Sequence, residues 1–414
     1  MKKLINKIHL VLGLVIGLVI VIVALTGCIY AFQVEIQNLT QSYRFVDRQE
    51  TAFLPPSQLK EIAQQELPGK TAHRVVYGKK TQAAGVVFYN SDPEYYYIAY
   101  LNPYNGKVLK IQDMNADFFR FILDGHFYLW LPPAIGQPTV AIATLIFVIM
   151  IITGIILWWP KNKAAAKQRF SIKWNAKWRR KNYDLHNVMG FYSSWVLIFI
   201  AITGLVWGFQ WFSKSLYWVT SGGKSMVEWS QATSDTTQAG IKKYLSPVDY
   251  IWEKTMHSNP TVSSIEVDFP DNNQAAIGIS TNPDDGTYWK ADNRYYDQYT
   301  LGEVPVKHPY GRFNDQLSTA DKILRMNYDI HVGAIWGLPG KCLAFFVSLI
   351  CASLPITGFM IWWGRRYKEK AKPVYTHVFM KYKEFEGIQV EEKVEVPKPK
   401  VKRRLLLRKP NKMK

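Results

Sequence analysis

Arg120-Phe121-Ile122-Leu123-Asp124-Gly125-His126 and Arg325-Met326-Asn327-Tyr328-Asp329-Ile330-His331 share one frame, Arg-x3-Asp-x-His, and that repetition decides the architecture. Each stretch is followed by a Trp (Trp130, Trp336) and then by Leu-Pro (Leu131-Pro132, Leu338-Pro339). Each ensuing apolar run ends in Ile-Thr-Gly and a double Trp, at Ile152-Thr153-Gly154 with Trp158-Trp159 and at Ile356-Thr357-Gly358 with Trp362-Trp363. Upstream of both, His9 precedes Thr26-Gly27 by the same interval as His186 precedes Thr203-Gly204. The chain therefore reads as two tandem units, each ordered helix, outer domain, helix. An even number of crossings per unit gives both the same orientation, a parallel repeat about a pseudo-two-fold axis along the membrane normal.

Four runs, 10–32, 140–159, 191–212 and 343–363, contain no Lys, Arg, Asp or Glu and are long enough to cross ~30 Å of hydrocarbon as helices. Each ends in aromatic residues, as expected at a headgroup boundary. Basic residues set the orientation. The loop 161–181 carries nine Lys or Arg and no acid, Lys2, Lys3 and Lys7 precede the first run, and Arg365, Arg366 and Lys368 follow the last. Both termini and that loop are thus expected in the cytoplasm, and the two long connections outside the cytoplasmic (inner) membrane. The formal net charge of +19 gathers on the inner face, which argues for anionic lipid at the surface rather than nucleic acid. The tail 398–414 either lies against that lipid or is a solvated end. Cys28, Cys342 and Cys351 fall within apolar runs, so no disulfide framework is expected in the outer domains. Leu25-Thr26-Gly27-Cys28 resembles a lipoprotein processing site, but the apolar run continues past it and Thr-Gly recurs in the other three runs; an uncleaved first helix is expected.

The expected fold is an α+β membrane protein, a four-helix transmembrane bundle with two extracytoplasmic α+β domains. Its segments are a first helix (1–32), an outer domain (33–118), a boundary helix with the second span (119–160), a basic loop (161–185), a third span (186–212), a second outer domain (213–325), a boundary segment with the fourth span (326–364) and a basic tail (365–414). In the first outer domain, 56–67 has helical spacing, followed by strands near 72–77, 84–89, 95–101 and 107–111; Asn105-Gly106 marks the last turn. The second shows a helix near 247–257 and strands near 262–269 and 275–280. Its 294–302 stretch parallels 100–106.

His9, His186, His126 and His331 stand at the ends of the four runs, where imidazole pays for its burial only if it has a purpose. Two axial imidazoles are the usual ligands of a non-covalent b-type haem. Ligands of one iron lie on opposite faces of the ring about 4 Å apart, twice a ~2.0 Å metal–imidazole bond. Residues at opposite membrane faces do not meet that, so the symmetric solution pairs His9 with His186 and His126 with His331, two haems b, one near each face. Arg120 and Arg325 are candidates to hold propionates near the outer pair, and Arg180 and Lys181 near the inner one. Asp184 and Asp329 are candidates to orient imidazoles. The alternative is that each His is a plain interfacial residue. The Thr-Gly pairs either pack helices closely or leave room for a haem plane, and Trp130 and Trp336 read as interface anchors. His73, His257, His308 and His377 lack repeat partners and are expected at the surface.

Paired helices with boundary histidines, distal Thr-Gly and an Asn102-Pro103-Tyr104-Asn105-Gly106 hairpin resemble the PepSY-associated transmembrane family, over about residues 1–370. That resemblance implies PepSY-like outer domains and an activity like that of inner-membrane ferric-siderophore reductases: a ferric siderophore or other ferric chelate reduced outside for iron uptake. No nicotinamide motif is present, so the electron donor is expected to be a separate cytoplasmic reductase or quinone. The competing reading is a non-enzymatic PepSY binding or regulatory protein that restrains a peptidase. A transporter fits less well, because the runs hold no ionisable residue beyond the histidines.

Overall fold

The computed structural model describes residues 2–160, 162–239, 246–284, 286–314, 316–367, 375–385 and 388–397, the last two stretches by backbone alone. The basic tail at 398–414 and the side chain of His377 lie outside the described residues. In chain order the first part runs α1 (Lys2–Ala31), α2 (Gln33–Thr40), α3 (Pro56–Glu66), β1 (Ala72–Tyr77), β2 (Ala84–Ser91), β3 (Glu94–Leu101), β4 (Val108–Asp113), α4 (Phe118–Tyr128) and α5 (Pro133–Trp158). There follow α6 (Lys163–Arg169), α7 (Trp178–Gly208), α8 (Gln210–Thr220), α9 (Pro247–Ser258), β5 (Ser264–Asp268), β6 (Ile277–Asn282) and β7 (Asp292–Tyr296). Last come α10 (Thr319–Arg325), α11 (Asn327–His331), α12 (Gly337–Arg366), β8 (Tyr375–Phe385) and β9 (Ile388–Pro397). From Trp363 onward the chain forms a separate body in which β8 and β9 pair antiparallel.

The helices α1, α5, α7 and α12 are long and apolar enough to cross a membrane. Ile16 and Ile20 of α1, Ala143 and Ile151 of α5, Leu197 of α7, and Val347 and Cys351 of α12 meet in one core. The helices begin earlier than the apolar runs do. α1 starts at Lys2 and α7 at Trp178, so His9 and His186 sit inside continuous helices rather than at their ends. Helix continues into a polar flank because, once nucleated, each added residue gains a hydrogen bond that offsets the entropy of fixing it.

Between β4 and α5 the chain turns back on itself. Asp117 caps α4 by accepting from the N–H groups of Phe119 and Arg120. The helix stops at Leu129 and Trp130, both in the left-handed region (φ 55° and 57°), and α5 restarts on Pro133. Gly136 permits this reversal, since a Cβ there would run into the backbone of Tyr128. Trp130 closes the turn, its indole N–H donating to the Phe121 carbonyl at 2.8 Å. The reversal aims α4 down against α1.

The sheet differs from expectation. Two separate α+β modules are expected; instead the strands form one antiparallel sheet, ordered β4-β3-β2-β1-β5-β6-β7. The seam is β1 on β5, with Val75 opposite Val267 and Tyr77 opposite Ile265. Left apart, each would present a row of unpaired N–H and C=O groups. One face carries a single apolar core to which both parts contribute: Leu59 and Ala63 of α3, Ile251 and Trp252 of α9, and Val75, Val86, Phe88, Val267 and Ile277 of the strands. Tyr77 and Trp252 rings lie 5.2 Å apart across the seam. Asp249 at the start of α9 accepts from the Ser57 N–H of α3 at 2.9 Å. On the other face Arg74 of β1 spans Glu266 (2.6 Å) and Asp268 of β5.

Because the core is shared, Leu59→Ala is expected to cost about 2–5 kcal/mol and to speed amide hydrogen exchange in β6 as much as in β2. Exchange that rises in β1–β4 alone would mean the two parts unfold independently.

Candidate cofactor site with four imidazoles seated on Thr-Gly pairs

Each of the four histidines rests on a Thr-Gly pair of a neighbouring helix. Nδ1 of His9 (α1) lies 2.9 Å from Oγ1 of Thr153 (α5), and Nδ1 of His186 (α7) lies 2.9 Å from Oγ1 of Thr357 (α12). Towards the sheet, His126 (α4) reaches Thr26 (α1) at 3.3 Å and His331 (α11) reaches Thr203 (α7) at 2.9 Å. The glycine after Thr26 and after Thr357 lets the ring approach, whereas at Gly154 and Gly204 a Cβ would make ordinary contact. A Cβ would stand 3.0 Å from His126 Cε1 at Gly27, 3.2 Å from His186 Cε1 at Gly358, 3.4 Å from His9 Cε1 at Gly154 and 3.5 Å from His331 Cε1 at Gly204.

These contacts choose a tautomer. Every one of the four Thr hydroxyls already donates its hydrogen to a carbonyl one turn back in its own helix: Thr26 to Ile22, Thr153 to Ile149, Thr203 to Phe199 and Thr357 to Ser353. A hydroxyl so committed only accepts, so the imidazole Nδ1 carries the hydrogen. Towards the sheet a carbonyl enforces the same result, because Nδ1 of His126 lies 2.9 Å from Val23 O and Nδ1 of His331 lies 3.0 Å from Ile200 O. No hydrogen bond from the described residues reaches Nε2 of any of the four. All four rings thus present an unshared pair at Nε2, the form in which imidazole binds a metal.

The rings of His126 and His331 are 6.0 Å apart between centroids, inclined at 76°. Two imidazoles on one iron have nitrogens ~4 Å apart and therefore ring centres about 6 Å apart. Trp207 flanks this pair, 5.2 Å from the His331 ring. His9 and His186 lie within electrostatic reach of one another. His9 and Thr26 stand about 25 Å apart along α1, at ~1.5 Å per residue, so the two sites are well separated. Among the described residues no group of three or more His, Cys, Asp or Glu is arranged around a bare ion. A two-imidazole set fits a metal whose remaining ligands come from a planar macrocycle.

Other expected roles are redistributed. Arg325 is buried, and its guanidinium donates to the carbonyls of Pro309, Trp289, Ala291 and Gly311 (2.6–3.2 Å), so its donors are committed to clamping the chain that leads into α11. Arg120 is half-exposed, and among the described residues its guanidinium meets Asp124 alone, at 3.3 Å. Asp184 and Asp329 point away from the rings. Asp184 accepts from Arg180 (2.9 Å) and the Lys173 N–H, and Asp329 from the N–H groups of Tyr288 and Trp289. Two residues before a helical His is the opposite side of the helix, which explains the miss. The Thr-Gly pairs hold imidazoles, a role the sequence reading did not assign them. Asn182 and Asn327, each four residues before a His, donate to the carbonyls of Thr357 and Thr203 and were also missed. The signal was present, since Asn-Tyr-Asp-x-His occurs at both 182–186 and 327–331. α12 starts early enough to include Lys341, buried against Glu35 at 2.8 Å. His73 and His257 are at the surface, whereas His308 is buried.

Two substitution pairs test these assignments. Gly204→Ala has room and gains helix propensity, up to about 1 kcal/mol of stability; Gly27→Ala must displace the His126 ring and is expected to lose that gain or destabilise. Arg325→Lys, which lacks the fork for four carbonyls, is expected to cost about 1–3 kcal/mol, and Arg120→Lys almost nothing. Thermal unfolding of the four variants in one lipid environment measures both contrasts.

A search of curated proteins finds no match to this chain. The family described as the PepSY-associated TM region matches residues 6–365, nearly the whole of what surrounds the four histidines. The chain is a membrane protein and belongs to the PepSY-associated TM region family.

Proposed function

We propose that this chain is a di-haem b electron-transfer protein of the cytoplasmic membrane, built as a tandem parallel repeat, which reduces ferric siderophores or other ferric chelates on the outer side for iron uptake. The observation that carries the proposal is the common seat of the four imidazoles, Nδ1 of each facing a Thr hydroxyl that already donates to its own helix, an arrangement that favours a lone pair at Nε2. Interfacial histidines placed by chance have no reason to share one tautomer and one kind of seat. His126 with His331, and His9 with His186, would hold the two haem irons, and Arg120 would meet a propionate. When bound, haem supplies a one-electron couple at iron, tuned by its axial ligands and the dryness around them. The chain's own residues fix ring orientation, exclude water and set the spacing of each pair.

The basic loop and the Lys residues in the first turns of α1 favour an arrangement with both termini in the cytoplasm and the sheet outside, against anionic lipid on the inner face. Electrons would then enter near His9 and His186 from a quinol or a cytoplasmic reductase and leave near His126 and His331. Each one delivered converts Fe3+ in the chelate to Fe2+, whose weaker hold on hard oxygen ligands releases it.

Visible spectra of protein purified from haem-replete cells, oxidised and dithionite-reduced, with haem measured per chain, test the reading. About two b-type haems per chain are expected, falling to about one in His126→Ala and in His331→Ala, with ferric-chelate reduction, followed by a ferrous trap, lost in both. A colourless preparation would sink the proposal and favour a binding or regulatory role for the sheet.

A further inference from the structure

Each half of the chain places a short helix directly after a long apolar one, with a single Phe between them. Phe32 separates α1 from α2 and Phe209 separates α7 from α8, each five residues after the Gly of its Thr-Gly pair. Phe209 is extended (φ −139°, ψ 119°) and Phe32 also leaves helical geometry (φ −105°, ψ 19°), so the helix axis changes at both. Neither short helix then moves far from the membrane boundary. Val206 in the last turn of α7, Tyr217 of α8, and Ala320 and Leu324 of α10 share one buried cluster. The Tyr217 hydroxyl also donates to Asp321 at 2.8 Å. Since α10 has seven residues and is only about 10 Å long, α7 and α8 stay together on it. On the other side Glu35 of α2 accepts from Lys341, in the second turn of α12, at 2.8 Å.

The outward side of each short helix carries large apolar groups. On α8 these are Trp211, 55% exposed, and Trp218, 57% exposed, seven residues apart and so on one face. Phe212, Leu216 and Tyr217 take the packed side. On α2, Ile36 and Leu39 are exposed, Leu39 to 87%, while Gln37 is buried. Lys214 and Ser215 share the exposed side of α8, and Asn38 that of α2. Aromatic and aliphatic groups interleaved with polar ones suit the headgroup level better than water or hydrocarbon.

We propose that α8 and α2 lie in the headgroup layer of the leaflet nearest the sheet, with Trp211, Trp218, Ile36 and Leu39 turned to lipid. A second copy of the chain is the competing occupant. The two half-exposed Trp rings of α8 offer it on the order of 250 Å², well short of the ~800 Å² per partner that a stable dimer buries. One helix thereby braces α10, which leads into α11, and the other braces the start of α12. The contact requires no haem and holds for either orientation of the chain.

The photoprobe p-benzoylphenylalanine, placed at position 218 or 39 of the full chain in phosphatidylcholine nanodiscs, bonds on irradiation to whatever touches it. Position 149, exposed to lipid midway along the second apolar run, and position 237, exposed on the outer part, are the references. Phospholipid adducts at 218 and 39 are expected at yields near that at 149 and at least about tenfold above that at 237. They should sit nearer the glycerol end of the acyl chain than the adduct at 149. Cross-links between two chains in place of lipid adducts overturn the proposal, as do yields no higher than at 237. A second reading needs no photoprobe. Phosphatidylcholine brominated near the glycerol end is expected to quench less of the Trp fluorescence in Trp211→Phe and in Trp218→Phe than in the parent chain. An unchanged quenched fraction in both variants also overturns the proposal.

Discussion

A Thr hydroxyl whose hydrogen is already given to its own helix is the contact on which the rest of this structure depends. It turns a residue common in membrane helices into a pure acceptor, and an acceptor at the right height forces an imidazole to protonate on the nitrogen that faces it. The far nitrogen is then aimed into the bundle. Carboxylates perform this service in many metal sites, but a carboxylate there would place a charge in hydrocarbon. A hydroxyl does it without charge, and beside Thr26 and Thr357 the following glycine supplies the clearance. The near nitrogen is thereby satisfied, while the far one has no partner among the described residues, a cost in a low-dielectric surrounding that a ligand there would relieve.

Much of this was legible in the residues, for identifiable reasons. Apolar runs without charge have few alternatives to helix, and α1, α5, α7 and α12 follow directly from them. The outer strands were legible where alternation was clean, as in Val75 and Tyr77 against Arg74 and Val76, and where Asn105-Gly106 fixed a turn. The joining of both outer parts into one sheet was not legible, because strand partners are chosen by tertiary geometry and neither β1 nor β5 advertises which edge it will meet. The pairs Thr26-Gly27 and Thr203-Gly204 were noticed as repeats, yet their purpose was hidden, since a hydroxyl's role depends on where its hydrogen already points. Arg325 misled for the converse reason. Its place in a repeated frame suggested a common task with Arg120, but Arg120 lies in the first turn of α4 whereas Arg325 ends α10, where the carbonyls of Pro309 and Gly311 capture its guanidinium.

The seam between β1 and β5 has a mechanical bearing on the sites below it. α4 follows directly from β4, and α11 is tied to the 288–291 turn by Asp329 and by Arg325 through α10. The elements that deliver His126 and His331 thus hang from a single rigid plate, and their 6.0 Å spacing is inherited from it. Among the described residues His9 and His186 have no comparable plate, and their separation rests on packing between helices alone. The Asn182 clamp to Thr357 gives one of the two some added restraint.

α1 and α7 each play two parts at once, offering an imidazole near one end and a seat for another chain segment's imidazole near the other. Gaining or losing one residue between His9 and Thr26 would swing one of these about 100° around the helix relative to the other, spoiling whichever end failed to stay in phase. Seven residues would bring the phase back to within about 20° but would lengthen the rod by about 10 Å. The interval between imidazole and seat on these two rods is therefore constrained from both ends, so a change in its length trades one site against the other.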